Sequence, residues 1–168
     1  MHSRIICLDS MISAWVFRDE TPPENDLVNF EKANSLIDKL SQKDYKILIP
    51  NIVLSEISCI LTEPQQNLFF SSLPNGILKC DFTERTARIL TRILHTRYFT
   101  EGKEFRNKGI TKAQMKYDSL ILACAVDSGA ECFYTVDNGF KKYPTQFIPI
   151  KDLDDLPNSY DTGTLFNK

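Results

Sequence analysis

Five short apolar runs recur along this chain, at Arg4–Leu8, Lys46–Ile49, Ile77–Cys80, Cys132–Val136 and Phe147–Ile150. Each has the length of a β-strand. The gaps between the first four hold longer segments with helical patterning. Parallel strands need crossovers of about a dozen residues or more, usually helical, so this alternation predicts an α/β fold around a mostly parallel sheet. No repeat, low-complexity tract or Pro/Gly-rich linker divides the chain. We therefore expect one domain over residues 1–150, with 151–168 as a polar, turn-rich edge segment or tail.

The helical segments have readable faces and ends. In Asp26–Gln42, Leu27, Phe30, Ala33, Leu36, Ile37 and Leu40 recur at three-to-four spacing, which is one apolar face. Pro50 suits the first position of a helix running to about Leu61. Asp81 or Thr83 is placed to cap a helix through about Tyr98, with Ala87, Leu90 and Leu94 aligned. The segment from Thr111 to Gln114 matches a capping box, and Gly129 stands where that helix should stop.

Composition narrows the class of protein. At 168 residues, 42% hydrophobic and 25% charged, the chain can bury a core and is not of disordered type. A net charge of −2 provides no global attraction for nucleic acid, so any polyanion site must be local. The five cysteines form no CxxC pair and lie in apolar stretches, which reads as small buried side chains in a reducing compartment. With only His2 and His95 besides, a zinc site is not expected, and His95 alone supports no nucleophilic triad. No apolar run reaches signal-peptide or membrane-spanning length, so we expect a soluble cytoplasmic protein without a membrane partner.

Four acidic residues stand where a plain amphipathic pattern would place something apolar. Glu56 has Ile52, Val53, Cys59 and Ile60 three and four residues away, and so shares the face that should pack on the sheet. Asp118 shares its face with Met115, Ile121 and Leu122. An ionised carboxylate on such a face needs a cation, a donor or a raised pKa. Asp9 and Asp137 each follow an apolar strand directly. Ligands of open parallel sheets bind beyond the carboxyl ends of the strands, so all four can converge there. Singly, Asp9 reads equally well as a helix cap, Asp137 as a turn residue, and Glu56 and Asp118 as members of buried ion pairs. Together, in one cleft, they would repel unless neutralised. A hard divalent cation such as Mg²⁺ or Mn²⁺ suits an all-carboxylate site.

Four segments, Ile6–Ser10, Pro50–Ile57, Asp118–Ala125 and Thr135–Phe140, resemble in order and approximate spacing the motifs of the PIN-domain ribonuclease family. The resemblance runs over roughly Arg4 to Ile150. It implies a three-layer α/β/α sandwich and a Mg²⁺- or Mn²⁺-dependent endoribonuclease, as in the toxins of bacterial toxin–antitoxin pairs. It implies Asp9 and Asp118 as main metal ligands, Asp137 completing the shell, and Glu56 orienting a water or helping to hold a second metal. Ser10 and Thr135 match positions whose hydroxyls brace the acidic cluster. One departure is Gly139, where many members carry a further Asp; one metal is the expectation, and a second has weaker support.

For RNA, the stretch Arg97, Lys103, Arg106, Lys108, Lys112 and Lys116, interleaved with Tyr98, Phe99 and Phe105, leads into Asp118 and could track phosphates and stack bases. It reads equally as a solvated charge run. The resemblance alone implies an antitoxin-like inhibitor, and the fold it implies is compatible with a homodimer, although no surface stripe marks one. The alternatives are a non-catalytic PIN-like module binding RNA or protein, and a phosphatase with Asp9 as nucleophile. The second lacks the further Asp two residues on.

Overall fold

The computed structural model describes residues 4–18, 22–101, 112–140 and 146–155. Five strands form one sheet: β1 (Arg4–Leu8), β2 (Tyr45–Pro50), β3 (Leu78–Cys80), β4 (Cys132–Tyr134) and β5 (Ile150–Lys151). Their order is β3-β2-β1-β4-β5, and every pairing is parallel. Ile6 is opposite both Ile47 and Cys132, so β1 is a central strand with both edges paired. Its Ile6, Cys7 and Leu8 are fully buried, as expected of a parallel strand covered on both faces.

The helices are α1 (Ser10–Phe17), α2 (Leu27–Ser41), α3 (Asn51–Ser58), α4 (Glu63–Ser72), α5 (Glu84–Glu101) and α6 (Lys112–Asp127). The chain steps from β1 to β2 to β3 in one direction, then returns across the sheet to β4. Right-handed crossovers require helices on opposite faces for the two directions. Accordingly α1 packs on α2 and α3, while α5 packs on α6. The result is an α/β/α sandwich whose core includes Leu36, Leu40, Leu48, Ile93, Phe133 and Tyr134.

Most expected elements are present, with informative differences. Helix α4 was not expected from the sequence, and α1 was foreshadowed only by Asp9 as a candidate helix cap. In α1 the residues are nearly all apolar, so no polar face announces a helix. In α4 the signal was terminal: Thr62 and Gln65 form a capping box with Pro64 in the first turn. The last strand is Ile150–Lys151 instead of Phe147–Ile150, and β4 ends at Tyr134. Cys7, Cys124 and Cys132 are buried, but Cys59 is exposed and Cys80 half-buried, against the expectation that all five pack inside. The Thr111 cap lies outside the described residues.

Of the two candidate caps for α5, Thr83 takes the role: its hydroxyl accepts from the Thr86 N–H at 3.2 Å, and Thr86 Oγ1 accepts from the Thr83 N–H at 3.1 Å. Asp127, at the far end of α6, ties this cap down. It accepts from Thr83 Oγ1 at 3.1 Å and from Thr86 Oγ1, and pairs with Arg85 Nε at 2.9 Å. Gly129 then ends α6 with φ +73°, a left-handed conformation that favours glycine. Past β5 the chain stays packed: Leu153 is buried, and Tyr134 donates its hydroxyl to the Asp155 carbonyl at 2.7 Å. Among the described residues, no helix is long and apolar enough to cross a membrane.

Thr86 is fully buried, whereas Arg85 is 76% exposed, so the hydroxyl bonds carry the anchor. Asp127→Ala is expected to lower unfolding free energy by roughly 1–3 kcal/mol, and Arg85→Ala by under about 1 kcal/mol. Urea denaturation of the two variants measures both.

Candidate active site

The strand order reverses between β1 and β4, and the chain leaves both strands there. At such a point the outgoing connections diverge and leave a crevice at the carboxyl edge. Asp9 sits in it as the first residue after β1 and as the N-cap of α1. Its Oδ1 accepts from the Ile12 N–H at 2.8 Å, and its Oδ2 accepts from Thr135 Oγ1. Its own N–H donates to the Tyr134 carbonyl at 3.1 Å, locking it to β4. The capping role and the cleft position therefore coexist in one residue.

The other three acidic residues reach the same cleft, of about 340 Å³, from separate elements: Glu56 from α3, Asp118 from α6 and Asp137 from the loop after β4. Asp9 is 3% exposed. Glu56 and Asp118 are half-buried and Asp137 is exposed, so the first pair does not consist of fully buried charges. Ser10 Oγ donates to Glu56 Oε2, joining α1 to α3 across the cleft. Asp137 folds back on its own loop, its Oδ1 accepting from the Gly139 N–H at 2.6 Å. A Cβ at Gly139 would stand 3.0 Å from that same oxygen. Glycine at this place thus gives the Asp137 carboxylate its room.

Burial dominates the electrostatics of Asp9. It pushes the carboxyl up from 3.8 to about 6, and the neighbouring charge of Asp137 adds to this. The Thr135 hydroxyl and the Ile12 and Val136 backbone act against the rise.

The chemistry of these donors fits a hard cation: carboxylate oxygens, with no imidazole or thiolate among the described residues that line the cleft. Among the described residues, however, no three His, Cys, Asp or Glu side chains are already grouped as metal ligands. The cleft brings the carboxylates to one space without drawing them into a shell.

Of the candidate RNA-binding residues, Lys116 is exposed on α6, two residues before Asp118. Only the backbone of Arg97 and Lys112 is described, and Lys103, Arg106 and Lys108 lie outside the described residues. Two cleft features escaped the sequence reading. One is Arg18, a cation lining the cleft at the end of α1; the other is an apolar rim in which Met11 and Ile60 are 50% and 69% exposed. The signal for Arg18 was its spacing from Ser10, Met11 and Ala14, legible only once α1 is known to be a helix.

The family profile of the PIN domain matches residues 6–146. The chain belongs to the PIN domain family. Among solved structures, it is similar to VapBC2 from Rickettsia felis bound to a DNA fragment from its promoter. That match has 18% identity and a TM-score of 0.59, covering 88% of this chain and 98% of the other. It is similar also to VapC20 of Mycobacterium tuberculosis, a Sarcin-Ricin loop cleaving toxin, with 12% identity and a TM-score of 0.50, covering 83% and 96%. At these identities the likeness speaks for the fold. No curated protein matches.

The Asp9 shift has a consequence for metal-free stability. With the folded value raised above the unfolded one, ionised Asp9 opposes folding at neutral pH. That opposition fades as pH falls from about 6 towards 4. In EDTA, Asp9→Asn is expected to equal or exceed wild-type stability at pH 7.5, by up to roughly 3 kcal/mol. The gain should shrink towards pH 4, as read by thermal or urea unfolding at each pH.

Proposed function

We propose that this protein is a metal-dependent endoribonuclease that hydrolyses phosphodiester bonds of single-stranded or structured RNA. The observation carrying this reading is that four carboxylates from β1, α3, α6 and the β4 loop line one cleft at the strand-order reversal of a PIN-domain sheet. Asp9, Asp118 and Asp137 would hold one Mg²⁺ or Mn²⁺ ion, with Glu56 beside them. Such an ion, when bound, supplies an activated water and countercharge for phosphodiester hydrolysis.

The chain's own residues set the rest. Thr135 and the Ile12 N–H fix both oxygens of Asp9, so this ligand is oriented before anything binds. Ser10 fixes one oxygen of Glu56, leaving the other to accept a proton from an attacking water. The Gly139 N–H holds Asp137 at the open mouth, where it can swing to complete a shell. No covalent nucleophile is required. A single metal is the firmer reading, because Gly139 adds no further carboxylate to the site.

The similarity to VapBC2 and VapC20 supports a toxin role with an antitoxin-like partner protein. RNA would approach over the α6 start, where Lys112 and Lys116 precede Asp118, continuing along the basic stretch of Arg97, Lys103, Arg106 and Lys108. A non-catalytic module is the second reading, favoured by the absence of a ready-made ligand trio among the described residues.

Asp9→Asn and Asp118→Asn should each reduce Mg²⁺- or Mn²⁺-dependent cleavage of single-stranded RNA by at least roughly a hundredfold, and should remove any rise in melting temperature on adding metal. Cleavage surviving in both variants would point to a contaminating nuclease and to the non-catalytic module. Replacing Lys112 and Lys116 together by Ala should weaken RNA binding and flatten its dependence on salt. Unchanged affinity and slope would remove that patch from the RNA path.

A further inference from the structure

Among the described residues, every charged side chain lining the cleft is a carboxylate except one. Asp9, Glu56, Asp118 and Asp137 present negative charge to any polyanion that enters, and Arg18 is the single cation lining the same space among the described residues. Its place follows from α1. That helix starts at the Asp9 cap, and Met11, Ala14 and Arg18 recur at three-to-four spacing on the side that faces the cleft. The cleft therefore runs along α1 from Asp9 to Arg18. At about 1.5 Å per residue the two backbone positions are roughly 13 Å apart. On that spacing Arg18 is placed for a phosphate further along the strand than one at Asp9.

A second cavity adjoins this residue. Arg18 lines a second, smaller groove of about 160 Å³, with Phe17, Leu61, Leu68 and Phe69 among its walls. It is the residue common to the two cavities. A strand leaving the carboxylates along α1 would pass Arg18. A planar guanidinium matches two phosphate oxygens at once, which an ammonium does not.

We propose that Arg18 is a substrate-binding residue that holds an RNA phosphate neighbouring the scissile one, at the opposite end of the cleft from Asp9. The proposal rests on the ribonuclease reading for the identity of the strand. It concerns a contact that binding alone can report.

The test is fluorescence anisotropy of a labelled single-stranded RNA, with Ca²⁺ replacing Mg²⁺, across a salt series. It is run on wild type, Arg18→Gln and Arg18→Lys, with melting temperatures taken alongside. Arg18→Gln is expected to raise Kd roughly tenfold and reduce the log–log salt slope by about 0.7, the loss of one single-strand phosphate contact. Arg18→Lys should keep the slope and recover only part of the affinity, which also covers the case in which Arg18→Gln folds poorly. In cleavage assays with Mg²⁺, Arg18→Gln should raise KM with kcat little changed.

Wild-type Kd and slope in a folded Arg18→Gln protein would overturn the proposal while leaving the nuclease reading intact. So would equal losses in Gln and Lys variants accompanied by a lowered melting temperature, which mark a structural arginine. Binding that depends on Arg18 in a protein that cleaves no RNA would uphold this contact and overturn the nuclease reading instead.

Discussion

A carboxylate buried at the junction of two parallel strands is the interaction around which the rest of this molecule is arranged. Asp9 is almost fully enclosed, yet what satisfies it is neutral: a backbone N–H at the start of α1 and the hydroxyl of Thr135. A buried ion pair with Lys or Arg would have been the ordinary solution to the desolvation cost. Instead the charge is only partly compensated, and its carboxyl is pushed up to about 6.

The surrounding architecture turns that local tension into a site. Parallel strands end on one edge, and the reversal of strand order opens a crevice between connections leading to opposite faces. Helices α3 and α6 then bring Glu56 and Asp118 in from the two sides, and the loop after β4 brings Asp137. Hydrogen bonds from Ser10, Thr135 and Gly139 restrict three of these carboxylates before any ligand is present. The same cleft would repel RNA. On the proposed reading, a divalent ion at the carboxylates and Arg18 further along α1 would act on that repulsion at two separate points.

Much of the scaffold was legible because its signals are local. The period of Leu36 and Leu40, the continuous apolar run of β1 and the glycine that ends α6 each depend on a few neighbouring residues. Helix α1 was not legible, since a segment apolar on every side has no period to read. That omission hid Arg18, whose relation to Asp9 exists only on a helix. The Asp127 anchor was equally hidden: it joins the end of α6 to the start of α5, 41 positions earlier in the chain for Thr86. Hydroxyl-to-carboxylate bonds over such separations leave no pattern in composition or spacing.

The sequence by itself determined the fold class and singled out the four acidic residues, because a carboxylate on an apolar helix face or just after a buried strand is anomalous within its own segment. Only the tertiary structure decided that they share one cleft, that Asp9 is buried and Asp137 exposed, and that an arginine lines the same space. Those facts depend on strand order and on which helix crosses which face. Both are set by packing the whole core, not by any stretch short enough to read as a pattern.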